Sequence, residues 1–259
     1  MNPVSALYVP GDRPDRFAKA AASGADLVIL DLEDAVAPES KAAALAHVTA
    51  WLPEAPAMPL QVRVNADAPG EITAIRATGV HVGLRIPKVE SSADLDAIAA
   101  LAGDLPLTAL IESARGLEAA AAIAAHPAVA HLALGESDLA SDLGSRDPLV
   151  LDHARVRLLV AARAAGLPAP MLSVYPAIGD LEGLRADTER GRALGLSGRV
   201  AVHPKQIPVI HEVFAPTETE RAWARAVLAA LESGGVATLP DGEMVDPAMR
   251  GRAQAILDR

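Results

Sequence analysis

Two carboxylates, Glu112 in LTALIES and Asp138 in ALGESD, fall at the ends of consecutive apolar segments separated by one helical stretch. If both segments are parallel strands, the strands are neighbours about 4.8 Å apart. Carboxylates so placed repel each other unless one is protonated or a cation lies between them. The chain has no cysteine, and no histidine stands beside the pair. Hard oxygen donors of this kind suit Mg²⁺ or Mn²⁺, with water and substrate in the other positions. A competing reading makes Asp138 a helix cap before LASDL and pairs Glu112 with Arg115.

Other apolar segments also end in polar residues: Asp31, Glu33 and Asp34; Arg63 and Asn65; Lys88; Glu136; His203. In a βα barrel such ends share one rim, where active sites lie. Arg63 is the candidate carboxylate clamp, because a guanidinium fork matches a carboxylate bidentately. It equally suits an ion pair with the DLED acids. Lys88 offers electrostatic support at the rim, a Schiff-base lysine being the alternative. His203 reads as a substrate contact or as a hydrogen-bonded strand-end histidine. The loop VPGDRPDRF carries Arg13, Arg16 and Lys19 at a helix start, fit to hold an anion such as a CoA phosphate or to serve as a plain surface turn.

The elements that must position these groups alternate. The apolar runs predict strands at 6–10, 27–34, 60–65, 82–89, 107–113, 129–138, 171–176 and 199–204. Helical periodicity fills 14–23, 39–52, 92–102, 114–125, 153–165 and 181–194, and the link after Asn65 is a weaker helix. Eight βα units imply an α/β fold with a parallel sheet closed into a (β/α)8 TIM barrel over residues 1–214. An open doubly wound sheet competes, but no Gly-rich dinucleotide fingerprint follows the first strand. Residues 215–259 form a C-terminal helical extension, with a helix at 217–233, packing on the barrel or a neighbouring subunit.

Composition narrows the function. With 23 basic and 33 acidic residues the formal charge is −10, and no basic run appears, so nucleic acid is not an expected partner. Only six residues are aromatic, so the core must be aliphatic, as in sheets buried on both faces. The start, MNPVSALYVPGDRP, lacks a signal peptide's charged and apolar regions, and no segment has the roughly 18 apolar residues of a membrane span. A cytoplasmic protein that does not enter the membrane is expected.

The motifs VPGDRPDRFAKAAASGADLVILDLEDAVAPESK, VRVN, IPKVES, IESARGL, GESDLASDLG, VHPKQIPVIHEVFAPT and GEMVD occur in one order between about residues 6 and 250. Together they resemble the HpcH/HpaI aldolase–citrate lyase family and its citrate lyase β-subunit-like branch. The resemblance implies a TIM barrel that binds Mg²⁺, forms a homotrimer or dimer of trimers, and cleaves citryl, malyl or citramalyl thioesters to a 2-oxo acid and an acetyl thioester. It implies that Arg63 grips the oxo-acid carboxylate and that Glu112 and Asp138 hold magnesium. It also implies that Asp246 is an acid/base supplied by a neighbouring subunit. Glu33 is then a candidate for the hydroxyl base, and Arg13, Lys88 and Glu136 for substrate contacts. The acyl carrier is CoA or a carrier protein. The sequence departs from many relatives at Leu172, Ser173 and Ala177, where two acids are missing, which touches substrate identity. A malyl-CoA-type thioester hydrolase, or a non-catalytic barrel subunit, are the other readings.

Overall fold

The computed structural model describes residues 3–232 and 234–258. Met1, Asn2, Ser233 and Arg259, at the ends of the expected domains and of the expected 217–233 helix, lie outside the described residues. The chain divides into two compact units, Pro3–Val213 and Phe214–Arg259.

The first unit is a run of βα repeats. Its strands are β1 (Ser5–Pro10), β2 (Leu27–Asp31), β3 (Leu60–Arg63), β4 (Gly83–Ile86), β5 (Leu107–Ile111), β6 (Val129–Leu134) and β7 (Arg199–Ala201). All pair in parallel in the order β6-β5-β4-β3-β2-β1-β7. Every position of β2, β3, β4 and β5 is buried. Burial on both faces makes β2 a continuous apolar run, while β3, β4 and β5 also bury Gln61, Arg85 and Thr108, which hydrogen-bond one another (Gln61 to Thr108 at 3.0 Å, Arg85 to Gln61 at 3.2 Å). Their layer of helices is α1 (Phe17–Ala21), α2 (Lys41–Trp51), α3 (Pro69–Ala77), α4 (Asp94–Ala102), α5 (Ala114–Ala124), α6 (Glu136–Leu143), α7 (Pro148–Ala164), α8 (Leu181–Ala193) and α9 (Ile207–Phe214).

Two expectations change. The segment 171–176 is not a full strand. Leu172 alone bridges to Arg199, its N–H donating to Gly198 O (2.8 Å) and its carbonyl accepting from Val200 N (3.0 Å). Among the described residues, no backbone hydrogen bond joins the segment to β6. Pro168, Pro170 and Pro176 bracket the segment without an N–H to extend a ladder at either end, and the sheet has seven strands where eight were expected. The second change is at 129–138, where β6 stops at Leu134 and Glu136 opens α6. Glu136 and Asp138 therefore stand in the first turn of a helix. ESDLASDL follows a helical period, and the apolar run upstream masked the boundary.

The second unit holds α10 (Glu218–Ala230), the short antiparallel pair β8 (Ala237–Thr238) and β9 (Met244–Val245), and α11 (Arg250–Leu257). Thr217 and Glu220 form a capping box that starts α10. Ala224, Val227, Leu231, Leu239, Val245 and Ala253 make its own apolar core. No described helix is long and apolar enough to cross a membrane.

Candidate active site

The carboxyl ends of β2 and β3 carry the densest charge. Asp31 and Arg63 are register partners on these adjacent strands, and Arg63 Nε and Nη2 donate to the two oxygens of Asp31 at 2.7 and 2.6 Å. Arg63 Nη1 also donates to Asp34 (3.0 Å) and lies 2.9 Å from Glu33 Oε2. The ion pair with the DLED acids is thus what the geometry shows. It leaves Arg63 fixed through Asp31, with further N–H bonds on Nη1 and Nη2 that Asp31 does not take. Burial works against the Arg63 charge, but its hydrogen bonds to Asp31 and the surrounding acids hold its pKa above the ordinary value. The Tyr8 ring lies beneath, 4.9 Å from the guanidinium.

The loop after β2 is pinned by its own carbonyls. Lys41 Nζ donates to Leu32 O (2.7 Å) and Glu33 O (2.5 Å), and Asn65 Nδ2 donates to Leu32 O (2.8 Å). Buried Glu71 holds Asn65 by its main-chain and side-chain N–H (2.8 and 2.7 Å). Lys41 and Glu71 escaped the sequence reading, since each touches a carbonyl or amide that no spacing rule flags. Held this way, Glu33 is buried with no hydrogen-bond donor to either carboxylate oxygen. Burial raises its pKa to about 6, with Arg63 pulling down and Asp34 pushing up. Lys88 Nζ stands 3.6 Å from Glu33 Oε1.

Glu112, one residue past β5, is also buried. Its Oε1 accepts the Lys88 N–H at 2.7 Å. Lys88 has φ +56°, and is the one non-glycine residue described in the left-handed region; that costly conformation aims its amide at Glu112. Burial raises the Glu112 pKa to about 7; the Lys88 amide opposes this, and repulsion from Glu33 and Asp138 adds to it. Arg115 pairs with Glu90 (3.6 Å) and not with Glu112.

This arrangement fits a hard divalent cation. Glu33 is engaged only by the cations Arg63 and Lys88, Glu112 keeps Oε2 clear of the Lys88 amide, and the exposed Asp138 is near enough to repel Glu112. Among the described residues no three His, Cys, Asp or Glu side chains make a closed cage. Two carboxylates with open positions are how Mg²⁺ is commonly held, since it keeps several waters. Glu112 and Asp138 are the residues that could hold it.

The remaining candidates are dispersed. The Glu136 carboxylate is taken bidentately by Arg155 (2.8 and 2.8 Å). Arg13 is exposed and pairs with Asp15 at 3.0 Å, with no contact to the acids at the strand ends. His203 Nδ1 accepts the Lys205 N–H (3.1 Å), a local turn bond. Asp246, in the second unit, caps the turn Pro247–Met249 by accepting from Ala248 N (2.9 Å). Leu172 is buried against α8, where a β-carbon on Gly191 would collide with it. Its departure from the family pattern therefore fills an apolar contact with the helix layer.

A parallel βα sheet with a fixed arginine and buried acids at the carboxyl ends of its strands defines an α/β protein of the class that does its chemistry at that edge. The chain belongs to the HpcH/HpaI aldolase/citrate lyase family, whose model matches residues 4–204. It is 40% identical, over 93% of its length and 89% of the relative's, to a (3S)-malyl-CoA thioesterase of Cereibacter sphaeroides. It is 39% identical to a citrate lyase subunit beta-like protein of Deinococcus radiodurans, over 98% and 95% of the two chains. The crystal structure of CitE from Mycobacterium tuberculosis in complex with magnesium, acetoacetate and coenzyme A matches with TM-score 0.84 and 37% identity, over 99% of this chain and 97% of that one.

Proposed function

We propose that this chain is a Mg²⁺-dependent carbon–carbon lyase acting on a 3-hydroxyacyl-CoA thioester of the malyl, citramalyl or citryl type. The observation that carries the reading is the grouping of Arg63, fixed by Asp31, with two buried carboxyls of raised pKa, Glu33 and Glu112. Glu112 and Asp138 would hold the ion. Bound there, Mg²⁺ supplies Lewis-acid polarisation of the substrate's hydroxyl and carboxylate. Arg63 orients the carboxylate beside that hydroxyl. Glu33, with a pKa about 6, is mostly ionised at neutral pH and takes the hydroxyl proton. The C–C bond then breaks toward the thioester, its electrons forming an enolate as the hydroxyl carbon becomes the oxo group of a 2-oxo acid. Asp246, read as supplied by a neighbouring subunit, is assigned the proton returned to the enolate carbon, which completes the acetyl thioester.

A second reading, hydrolysis of the thioester by water directed at the carbonyl, is favoured by the likeness to the malyl-CoA thioesterase. One experiment separates them. Incubation with malyl-, citramalyl- and citryl-CoA plus Mg²⁺, followed by mass spectrometry, should yield acetyl-CoA and a 2-oxo acid. Free CoA with an intact hydroxy acid would replace the lyase by the hydrolase, and no turnover of any thioester would remove both.

A further inference from the structure

We propose that Arg155 is a positioning residue for Asp138, acting through Glu136; this rests on the metal site of the proposed function. Glu136 and Asp138 are the first and third residues of α6, so a rotation or shift of that helix start carries both. Packing holds α6 weakly: in its eight residues only Leu139 and Ala140 are buried, and Gly135 and Gly144 flank it. The strong restraint is the clamp on Glu136, where Arg155 Nε and Nη2 each donate at 2.8 Å.

Arg155 is itself immobilised. It is 5% exposed, and its fork is shared with Asp152 on its own helix α7 (3.1 Å) and Asp187 on α8 (3.1 and 3.2 Å). Arg199 of β7 pairs with Asp187, and Arg190 with Asp152. Three arginines and three acids thus tie the start of α6 to α7, α8 and β7 with no net charge. A neutral, internally satisfied cluster does not call for a ligand. Burying ions in this way adds little stability over apolar packing, and its best use is to select one arrangement among several. The arrangement selected here is the azimuth of α6, and hence the direction in which Asp138 faces Glu112.

The test is binding of Mn²⁺, an EPR-visible substitute for Mg²⁺, to the full chain without substrate. Glu136→Gln and Arg155→Met should each weaken Mn²⁺ binding about 10-fold or more, in the range found when groups orienting metal ligands are removed, while circular dichroism remains that of the wild type. Glu136→Gln preserves volume, so it decides the matter if Arg155→Met fails to fold. Arg157→Met serves as control. It removes an exposed pair between α7 and Glu118 of α5 and should leave the affinity unchanged. Folded variants that bind Mn²⁺ as the wild type does would overturn the positioning role alone. A wild-type chain that binds no Mn²⁺ would overturn the metal site and this inference with it.

Discussion

Gly135, just after β6, lies directly against the side chain of Glu112 at the end of β5. A β-carbon on Gly135 would stand 2.6 Å from Glu112 Oε2 and 2.7 Å from its Cβ. The backbone of Gly135 has φ −94°, which any residue adopts, so glycine is required there for space alone. Gly135→Ala should push the Glu112 carboxylate out of place and lower both Mg²⁺ affinity and turnover by about 10-fold, with secondary structure retained. An alanine variant with wild-type metal affinity would show that Glu112 has room to spare.

The proposed ligand pair, Glu112 and Asp138, makes the steeper prediction. Glu112→Gln and Asp138→Asn keep size and polarity but remove a charge from a site designed around repulsion. Turnover should fall by at least about 100-fold in each and should not be recovered by ordinary Mg²⁺ concentrations. Excess EDTA should silence the wild type likewise. Undiminished activity in EDTA would end the metal reading.

The buried acids impose a pH dependence whose sign follows from their raised pKa values. Glu112 titrates at about 7 in the folded chain against an ordinary value of 4.5, and Glu33 at about 6. Between these limits the folded state binds more protons at these two groups than the unfolded one, so they make stability fall as pH rises from about 4.5 to 7 and add no slope of their own below that window. Melting temperature without added metal should therefore drop across pH 5–7. Added Mg²⁺ should flatten that slope, and calorimetry near pH 7 in buffers of different ionisation enthalpy should show about half a proton released per ion bound. A melting temperature that rises across the window would reverse the assignment.

Much of this was legible in the sequence, and what was lost has physical causes. Buried parallel strands advertise themselves as runs such as LVILD, so seven of the eight expected strands are present in a parallel sheet, and the spacing of two such runs singled out Glu112 and Asp138 as a candidate pair. Strand ends were overrun where a single glycine, Gly135, is all that separates an apolar run from the helix-start acids Glu136 and Asp138. The run MLSVYP has strand composition but sits among prolines, and pairing, which decides a strand, depends on partners that local composition does not encode. Arg63 illustrates the same limit, since its type announced a carboxylate partner but not which one. Contacts made through carbonyls and amides, such as Lys41 on Leu32 and Lys88 on Glu112, leave no side-chain pattern to read.

Asp246 requires a substitution that separates chemistry from local structure. Its side chain caps the turn Pro247–Met249, and losing a cap costs about 0.5–2 kcal/mol. Asp246→Asn keeps an acceptor for the Ala248 amide but removes the acid. Turnover should collapse while Mn²⁺ affinity and melting temperature stay near wild type. Normal turnover in this variant would strike Asp246 from the mechanism.

Arg63 and Asp34 permit a test in the opposite direction, toward gain. Asp31 is 1% exposed and holds Arg63 by two hydrogen bonds, whereas the Asp34 side chain is 61% exposed and holds it by one. A substrate carboxylate approaching Arg63 has to compete with the weaker partner, Asp34, because displacing Asp31 would leave a buried charge unpaired. The Arg63–Asp34 pair is exposed on its Asp34 side only, so it is taken at the upper end of the surface range, about 1 kcal/mol, and Asp34→Asn should lower KM by roughly 5-fold with kcat nearly unchanged. Arg63→Lys keeps the charge but cannot span both Asp31 oxygens and the substrate, and kcat/KM should fall steeply. The two variants together discriminate between roles. If Arg63 only braces the loop after β2, Asp34→Asn would leave KM alone or raise it, and Arg63→Lys would depress melting temperature more than turnover.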